Sequence, residues 1–168
     1  MAGDVLIRVA TADDESAVSD VLLVSYPVLM GPAYDADELS AALPELTRAN
    51  PALLASGRYY LAHTTDKRAI AVGGWSHERP GTGEIVAGLA HLRHFGTHPD
   101  WTGHSIGRRI YARCEREARH EGVTAFECYS SLNAEGFYAA LGFEPEERFH
   151  IRLSNHQRIP SIRMHRTI

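Results

Sequence analysis

Two short segments of this chain carry the groups best suited to chemistry. The first is a loop of small residues, Trp101 to Gly107, which an arginine-rich helix follows directly. A loop that restarts as a helix leaves several backbone N–H groups unpaired and directed at one spot, which is a docking place for phosphate. In the second segment, Asn133 and Tyr138 lie about one and a half helical turns apart, ahead of Gly142. Together the segments indicate a cosubstrate with a nucleotide tail and a proton donor.

The composition favours a small-molecule partner over a nucleic acid. The 168 residues include 17 Lys and Arg against 21 Asp and Glu, a formal net charge of -4, and no basic footprint for nucleic acid. This length is typical of one domain with a sizeable core. Cys114 and Cys128 lack metal-ligand spacing, so we expect free thiols in a reducing compartment. Residues 1–9 show no leader pattern and no window approaches a membrane span, so we expect a cytoplasmic protein without a membrane partner.

The elements that must position the two segments alternate along the whole chain. Apolar alternation predicts strands over residues 5–9, 58–63, 69–77, 84–97, 124–129, 148–153 and 159–164. Helices are expected from residue 11 or 13 to Pro27, which would end or kink the helix, and from 37 to about 50. A further helix is expected from Ile106 to a stop at Gly122, with a buried apolar residue at every fourth position. Another is expected over the segment before Gly142.

The fourth expected strand, residues 84–97, is interrupted by Gly88 and Gly96. An interior glycine near the end of a strand often marks a bulge, where backbone N–H groups become free for a ligand. The order strand, helix, strand predicts that this strand runs parallel to the one ending near Tyr129. Because ligands bind where the carboxyl ends of such strands diverge, we expect the cosubstrate between residues 95–97 and 130–133.

This order of a bulged strand, a Pro turn, a glycine-containing loop and a helix resembles the GNAT superfamily of N-acetyltransferases. The later residues that carry the resemblance are Asn133, Ala134, Phe137, Tyr138, Leu141, Gly142 and Phe143. The family loop reads Arg or Gln, two residues, Gly, one residue, then Gly or Ala. Here the first position is Thr102, Ser105 replaces the first Gly, and Gly107 remains.

The resemblance implies the α/β (α+β) GNAT fold and one N-acetyltransferase domain over residues 1–168. That fold is a single mixed, mostly antiparallel sheet of about six to seven strands, splayed between the fourth and fifth and flanked by about four helices. It also implies direct acetyl transfer from acetyl-CoA to a primary amine of a small molecule or peptide, and it leaves a homodimer open. The departures at Thr102 and Ser105 keep an alternative open, a non-catalytic acyl-CoA-binding or sensing module of the same fold.

The residues that the resemblance assigns to cosubstrate binding lie on the bulged strand, the loop and the tyrosine segment. They are Phe95, Gly96, Thr97, Thr102, Gly103, His104, Ser105, Ile106, Gly107, Arg108 and Asn133. Backbone N–H groups of residues 95–97 would polarise the thioester carbonyl. Tyr138 would protonate the leaving thiolate, since a phenol near pKa 10 lies within about two units of a thiol.

The general base expected from the resemblance is His91, eleven positions before Thr102, where the family often has Glu or His. An imidazole with a pKa of about 6.5 is mostly neutral at pH 7 and can accept the proton of the amine. Arg93 and His94 are secondary candidates, because a bulge would exchange which side chain faces the pocket. His91, His94 and His98 form the tightest group of histidines in the sequence. Strand residues three apart point to opposite faces, so no metal is expected there.

The acceptor side has weaker signals. Aromatic and apolar side chains that suggest a slot are Tyr26, Met30, Tyr34 and Trp75. Acidic residues that would either meet a cationic amine or cap a helix are Asp35, Asp37 and Glu38.

Overall fold

The computed structural model describes residues 4–168, and its seven strands form one sheet. Residues 1–3, the start of the segment where no leader is expected, lie outside the described residues. The strands are β1 (Val5–Val9), β2 (Tyr59–Thr64), β3 (Ala69–Ser76), β4 (Leu89–Thr97), β5 (Ala125–Ser131), β6 (Glu144–Arg152) and β7 (Arg158–Thr167). Their order is β1-β2-β3-β4-β5-β7-β6, with β4 and β5 parallel and the other neighbours antiparallel. The expected mixed, mostly antiparallel sheet is confirmed.

Helices cover both faces of this sheet. They are α1 (Glu15–Met30), α2 (Ala36–Leu46), α3 (Pro51–Ala55), α4 (Ile106–His120) and α5 (Glu135–Ala140). Tyr60 and Ala62 of β2 share a core with α4, whereas Tyr59 and Leu61 share a core with α1. Because successive strand residues point to opposite faces, α1 and α4 lie on opposite sides of the sheet.

The arginine-rich helix α4 forms because its apolar residues recur every fourth position. Ile106, Ile110, Cys114 and Ala118 are all buried, as the spacing predicts, while the arginines line the outer face. The helix ends at His120, and Gly122 follows with a φ of 85°. A positive φ favours glycine at a helix end, so the expected stop is confirmed.

Helix α1 departs from two expectations. Pro27 lies inside the helix, which continues to Met30 rather than ending. Pro27 and Leu23, whose carbonyl it leaves unpaired, are both on the exposed side, where water can satisfy that carbonyl. The run Ala12–Ala33 is also long and apolar enough to cross a membrane by length and composition, so the expectation that no window approaches a membrane span was wrong. In the structure 28% of its apolar window is buried, and Val18 and Leu22 of this run pack in the core.

Strand β4 begins at Leu89 rather than at residue 84, because Gly88, with a φ of 78°, turns the chain just before it. Near its end β4 carries the expected bulge. Val72 of β3 pairs with Gly96 and Gly74 pairs with Arg93, so two residues of β4 face the single Gly73. The bulge follows the last pair of β4 with its parallel neighbour β5, at His91, and it changes which side chains face each side of the sheet.

Candidate active site

The site lies where β4 and β5 separate. The two strands pair through Leu89–Ala125, Ala90–Phe126 and His91–Glu127, and then both continue without pairing. A cavity of about 450 Å³ opens in this gap, with walls from α1, β4, β5, α5 and β7. The expected splay between the fourth and fifth strands is therefore confirmed, and the last parallel pair marks its floor.

Three hydrogen bonds hold the β4 bulge in place. The Tyr59 hydroxyl donates to the His94 carbonyl at 2.7 Å, and the Tyr26 hydroxyl donates to the Phe95 carbonyl at 2.7 Å. The imidazole Nε2 of His94 lies 2.8 Å from the Leu46 carbonyl. His94 has a φ of 55°, a left-handed conformation that a non-glycine residue keeps only when its surroundings impose it. These contacts from α1, β2 and α2 supply that constraint.

The loop before α4 provides the backbone donors that a phosphate needs. Ser105, at the position of the first family Gly, has a φ of 60° and a ψ of 20°, and Gly103 has a φ of 79°. Ser105 thus adopts the left-handed backbone that glycine adopts most easily. The N–H groups of the first turn of α4 have no earlier carbonyl within the helix, so they remain available to an anion. A serine therefore holds the left-handed backbone at this position of the loop.

Gly107 and Gly96 permit close packing around the cavity. A Cβ atom built on Gly107 would lie 3.0 Å from the Phe137 ring, and one on Gly96 would lie 2.9 Å from Leu22. Ordinary Cβ contacts are longer than this. Helix α5 therefore approaches α4 through Gly107, and α1 approaches β4 through Gly96.

Most residues expected to bind the cosubstrate meet at this cavity. Those that line it are Phe95, Gly96, Thr97, Thr102, Gly107 and Asn133, and the expected acid Tyr138 lines it too. Gly103, His104 and Ser105 are exposed in the adjoining loop, so only their positions near the α4 N-terminus connect them with the cavity. Two others point elsewhere. The Ile106 side chain is buried in the core, and Arg108 is exposed, with Nη2 3.5 Å from the Ala140 carbonyl.

Tyr138 is a buried aromatic residue whose hydroxyl is free. Its ring packs against Phe137 and Phe95, with centroids 5.0 and 6.3 Å away. Within residues 4–168 no hydrogen-bond partner of the hydroxyl is found, and the side chain lines the cavity. Burial raises the pKa of Tyr138 well above its ordinary value, so the hydroxyl keeps its proton at neutral pH. An aromatic residue that served only the core would have a satisfied hydroxyl.

His91 does not reach the cavity. It belongs to the last parallel pair of β4 and β5, is 1% exposed, and lies below the point where the strands part. Its Nδ1 is 3.5 Å from Glu127 Oε1, and burial, with Arg79 and Arg93 nearby, lowers the pKa of His91 to about 4. Counting eleven positions back from Thr102 selects His91, but β4 and β5 are still paired at this residue. The geometry gives no support to His91 as the base.

His94 occupies the position that His91 was expected to hold. It lines the first cavity and also a second one of about 530 Å³, which opens on the α2 side of the sheet. Because a carbonyl only accepts hydrogen bonds, Nε2 of His94 must carry a proton, which leaves Nδ1 with a lone pair in the neutral ring. Burial lowers the pKa of His94, so the ring is neutral at pH 7. The sequence placed His94 second, because the position of the extra bulge residue was not visible.

The second cavity combines apolar side chains with polar ones drawn from distant parts of the chain. Arg93 and His94 come from β4, Glu45 and Arg48 come from the end of α2 and the residues after it, and Ser154 follows β6. Like His94, four other residues line both cavities: Leu46, Leu92, Tyr129 and Ile151. An amine entering from the α2 side would therefore meet the first cavity beside His94.

The expected acceptor slot is assembled differently. Tyr26, Met30 and Tyr34 line the first cavity, as the sequence suggested. Trp75 is instead fully buried on the α4 side, where its indole Nε1 donates to the Tyr60 hydroxyl at 3.3 Å. Asp35 accepts a hydrogen bond from the Glu38 backbone at 3.0 Å, so it caps α2. Among residues 4–168, no three His, Cys, Asp or Glu side chains are close enough to hold a metal ion.

A family model described as an acetyltransferase (GNAT) domain matches residues 40–154, which include most of the sheet and the loop before α4. The chain belongs to the GNAT acetyltransferase family. This membership agrees with the resemblance carried by the loop and the tyrosine segment. No curated protein matches the sequence of this GNAT protein.

Solved structures share the GNAT fold over nearly the full chain. The PaiA N-acetyltransferase of Thermoplasma acidophilum, in complex with coenzyme A, is 17% identical with a TM-score of 0.71, over 98% of this chain and 99% of that one. A GCN5-related N-acetyltransferase of Rhodopseudomonas palustris is 19% identical with a TM-score of 0.75, over 100% and 98%. One from Kribbella flavida is 22% identical with a TM-score of 0.63, over 98% of both chains. At these identities the likeness concerns the fold.

Proposed function

We propose that this GNAT protein is an acetyl-CoA-dependent N-acetyltransferase that moves the acetyl group directly to a primary amine of a small molecule or peptide. The observation that carries the proposal is the position of His94 at the junction of two cavities. One cavity borders the phosphate-type loop and Tyr138, and the other opens on the α2 side. The proposal takes residues 1–168 as one N-acetyltransferase domain, since all seven strands belong to one sheet.

The described residues fit acetyl-CoA. Free N–H groups at the start of α4 suit a pyrophosphate, with Thr102, Ser105 and Asn133 offering polar side chains beside them. Phe95, Gly96 and Thr97 border the same cavity on β4. When bound, acetyl-CoA supplies an acetyl group activated as a thioester. The coenzyme A bound to the PaiA neighbour, which shares this fold, supports the assignment.

His94 would remove the proton of the amine. An aliphatic amine with a pKa of about 10.4 is neutral in only about one molecule in 2,500 at pH 7, so attack needs a proton acceptor. Nδ1 of His94 has a free lone pair, and the hydrogen bond from Nε2 to Leu46 fixes the ring plane. This role goes to the secondary candidate of the sequence, because the bulge directs His94 rather than His91 to the junction.

The acid and the carbonyl-polarising groups lie on the other side of the junction. The bulge breaks the β3–β4 ladder around residues 94 and 95, and its carbonyls are held by Tyr59 and Tyr26. An N–H group freed there can stabilise negative charge that develops on a carbonyl oxygen. The Tyr138 hydroxyl, protonated and without a protein partner, would then donate its proton to the departing sulfur.

Calorimetric titration with acetyl-CoA, followed by a thiol-release assay on a panel of primary amines, tests the proposal. We expect saturable binding and amine-dependent release of free thiol. An absence of acetyl-CoA binding would contradict the assignment altogether. Binding without turnover on any amine would instead favour the non-catalytic acyl-CoA-binding module suggested by Thr102 and Ser105. The left-handed backbone of Ser105 weakens the motive for that alternative, since a serine holds that conformation here.

A further inference from the structure

Arg93 places a guanidinium in the wall of the second cavity. Its side chain is partly buried, and Nη1 donates a hydrogen bond of 2.9 Å to the Ser76 hydroxyl. That hydroxyl in turn donates to the Glu78 carbonyl at 2.8 Å. Arg93 is therefore anchored through one nitrogen to the end of β3. Arg93 also lines the second cavity, and hydrogen-bonding capacity at its other two nitrogens is left over from this anchor.

In the described chain these remaining N–H groups have no protein acceptor, and no carboxylate lies within ion-pair distance of Arg93. Glu78 favours the charged form from a distance, but burial is the larger influence and lowers the pKa of Arg93. A partly desolvated guanidinium is costly unless an anion or several acceptors satisfy it. The vacant donors therefore match an anionic group that arrives with a ligand.

The other charges around this cavity leave it cationic. Arg48 is exposed at the mouth, and no ion pair involving it is found among residues 4–168. Glu45 is the carboxylate in the lining, and it accepts hydrogen bonds from the Ser154 N–H, at 2.9 Å, and from the Ser154 hydroxyl. His94 is neutral. The two arginines thus dominate the side from which an amine would enter.

The bulge also explains why recognition and chemistry lie side by side. In a regular strand, neighbouring residues point to opposite faces. Here Leu92, Arg93 and His94 all line the second cavity, at the point where the bulge interrupts the ladder with β3. A ligand with an anion at one end and an amine at the other could contact Arg93 and His94 at once.

We propose that the acceptor is a primary amine that also carries a carboxylate, which Arg93 binds while the amino group lies at His94. This inference rests on the proposed N-acetyltransferase function and specifies its substrate class. The planar fork of arginine matches a carboxylate geometrically, and Arg48 adds long-range attraction at the mouth. Arg93 is thus a specificity-determining residue.

The test compares matched acceptors that differ only in charge. β-Alanine, γ-aminobutyrate and δ-aminovalerate are assayed beside their amides, with spermidine as a cationic amine, at pH 8, where His94 is neutral in every variant. We expect a kcat/KM for the best carboxylate that exceeds that of its amide by at least about tenfold, the value of one charged hydrogen bond. In Arg93→Met the preference should vanish through a rise in KM, while the amide is affected little.

Two further variants separate recognition from folding. Arg93→Lys keeps the charge without the fork and should retain part of the preference, whereas Arg116→Met, on the exposed face of α4, should retain all of it. If Arg93→Met fails to fold, Ser76→Ala, which removes the anchor, should reduce the preference by a smaller factor. Equal rates on acids and amides, or spermidine as the best acceptor, would overturn the inference and leave N-acetyltransfer intact.

A binding measurement covers the case in which no amine is acetylated. Calorimetry on protein loaded with coenzyme A should show tighter binding of the acid than of its amide, and the difference should be lost in Arg93→Met. That result would sustain the anion site even if the transferase proposal failed. Equal binding of acid and amide would refute the anion site.

Discussion

The two cavities that meet at His94 are built in different ways. The first is lined largely by apolar side chains, and the donors beside it are backbone N–H groups of one loop and one bulge. The second adds charged and polar side chains from α2, β4 and the residues after β6 to a lining that also includes Leu53, Leu92 and Ile151. A site made from backbone groups tolerates changes of side chain, whereas a site made from side chains changes with each of them.

Ser105 and Arg93 illustrate this difference. Ser105 replaces a family glycine, yet its backbone keeps the left-handed conformation and the N–H groups of α4 remain available. For Arg93 the backbone conformation would not preserve the function after a substitution, since its contribution to the second cavity is the guanidinium itself. The comparison indicates that the first cavity depends on backbone geometry, whereas the second depends on the identity of single side chains such as Arg93.

The sharpest test of the junction is His94→Gln. We expect kcat to fall by about a hundredfold to ten-thousandfold, because general-base assistance is lost, with acetyl-CoA affinity retained. His91→Gln, measured beside it, should reduce kcat little. A larger fall in kcat for His91→Gln than for His94→Gln would identify His91 as the base and would contradict the proposed role of the junction between the cavities.

The pH profile of kcat in the wild-type protein gives an independent reading of the same residue. The proposed mechanism requires unprotonated His94, and burial lowers the pKa of His94 below the usual 6.5. Activity should therefore fall with decreasing pH only below about 6.5 and persist through neutrality. His94→Gln should lack this acidic limb.

On the first cavity, Tyr138→Phe should lower kcat by about tenfold to a hundredfold, because the hydroxyl proton is removed while the ring still packs. The dissociation constant of acetyl-CoA should stay the same, since the phosphate-binding backbone is untouched. Steady-state kinetics with calorimetry checks both values. Full turnover in this variant would remove Tyr138 from the mechanism.

The dependence of the first cavity on close packing is tested by Gly107→Ala. The added Cβ would lie 3.0 Å from the Phe137 ring, so α5 must shift, at a cost of about 1–3 kcal/mol in the free energy of unfolding. Acetyl-CoA should bind more weakly, with the acid-over-amide preference of the second cavity unchanged. Gly136→Ala, where an added Cβ meets no atom within 4 Å, is the control.

The smallest effect is expected from Ser105→Gly. Glycine relieves the left-handed strain at this position, but it also raises the conformational entropy of the unfolded chain, which opposes the gain. The net rise in the free energy of unfolding should be about 0.5 kcal/mol. Ser105→Ala keeps the strain and removes only the hydroxyl. Thermal unfolding ranks the variants, and a Gly variant no more stable than the Ala variant would argue that the loop imposes no strain.

Patterns of three or four residues predicted local features beside the first cavity. The spacing of Ile106, Ile110, Cys114 and Ala118 identified the buried face of α4, and Gly96 indicated the bulge. These features are local, because helix periodicity and glycine conformation depend on near neighbours in the chain. Pro27 shows the limit of such rules, since an exposed position and water allowed the helix to continue.

The sequence by itself determined the order of elements, the phosphate-type loop and the tyrosine segment, because contiguous residues encode them. Only the tertiary structure decided that His91 stays below the last parallel pair while His94 and Arg93 share a cavity. One extra residue in a strand changes the face of every side chain after it, and its place depends on pairing with β3. Tyr26, Tyr59 and Leu46, distant in the chain, then hold that place.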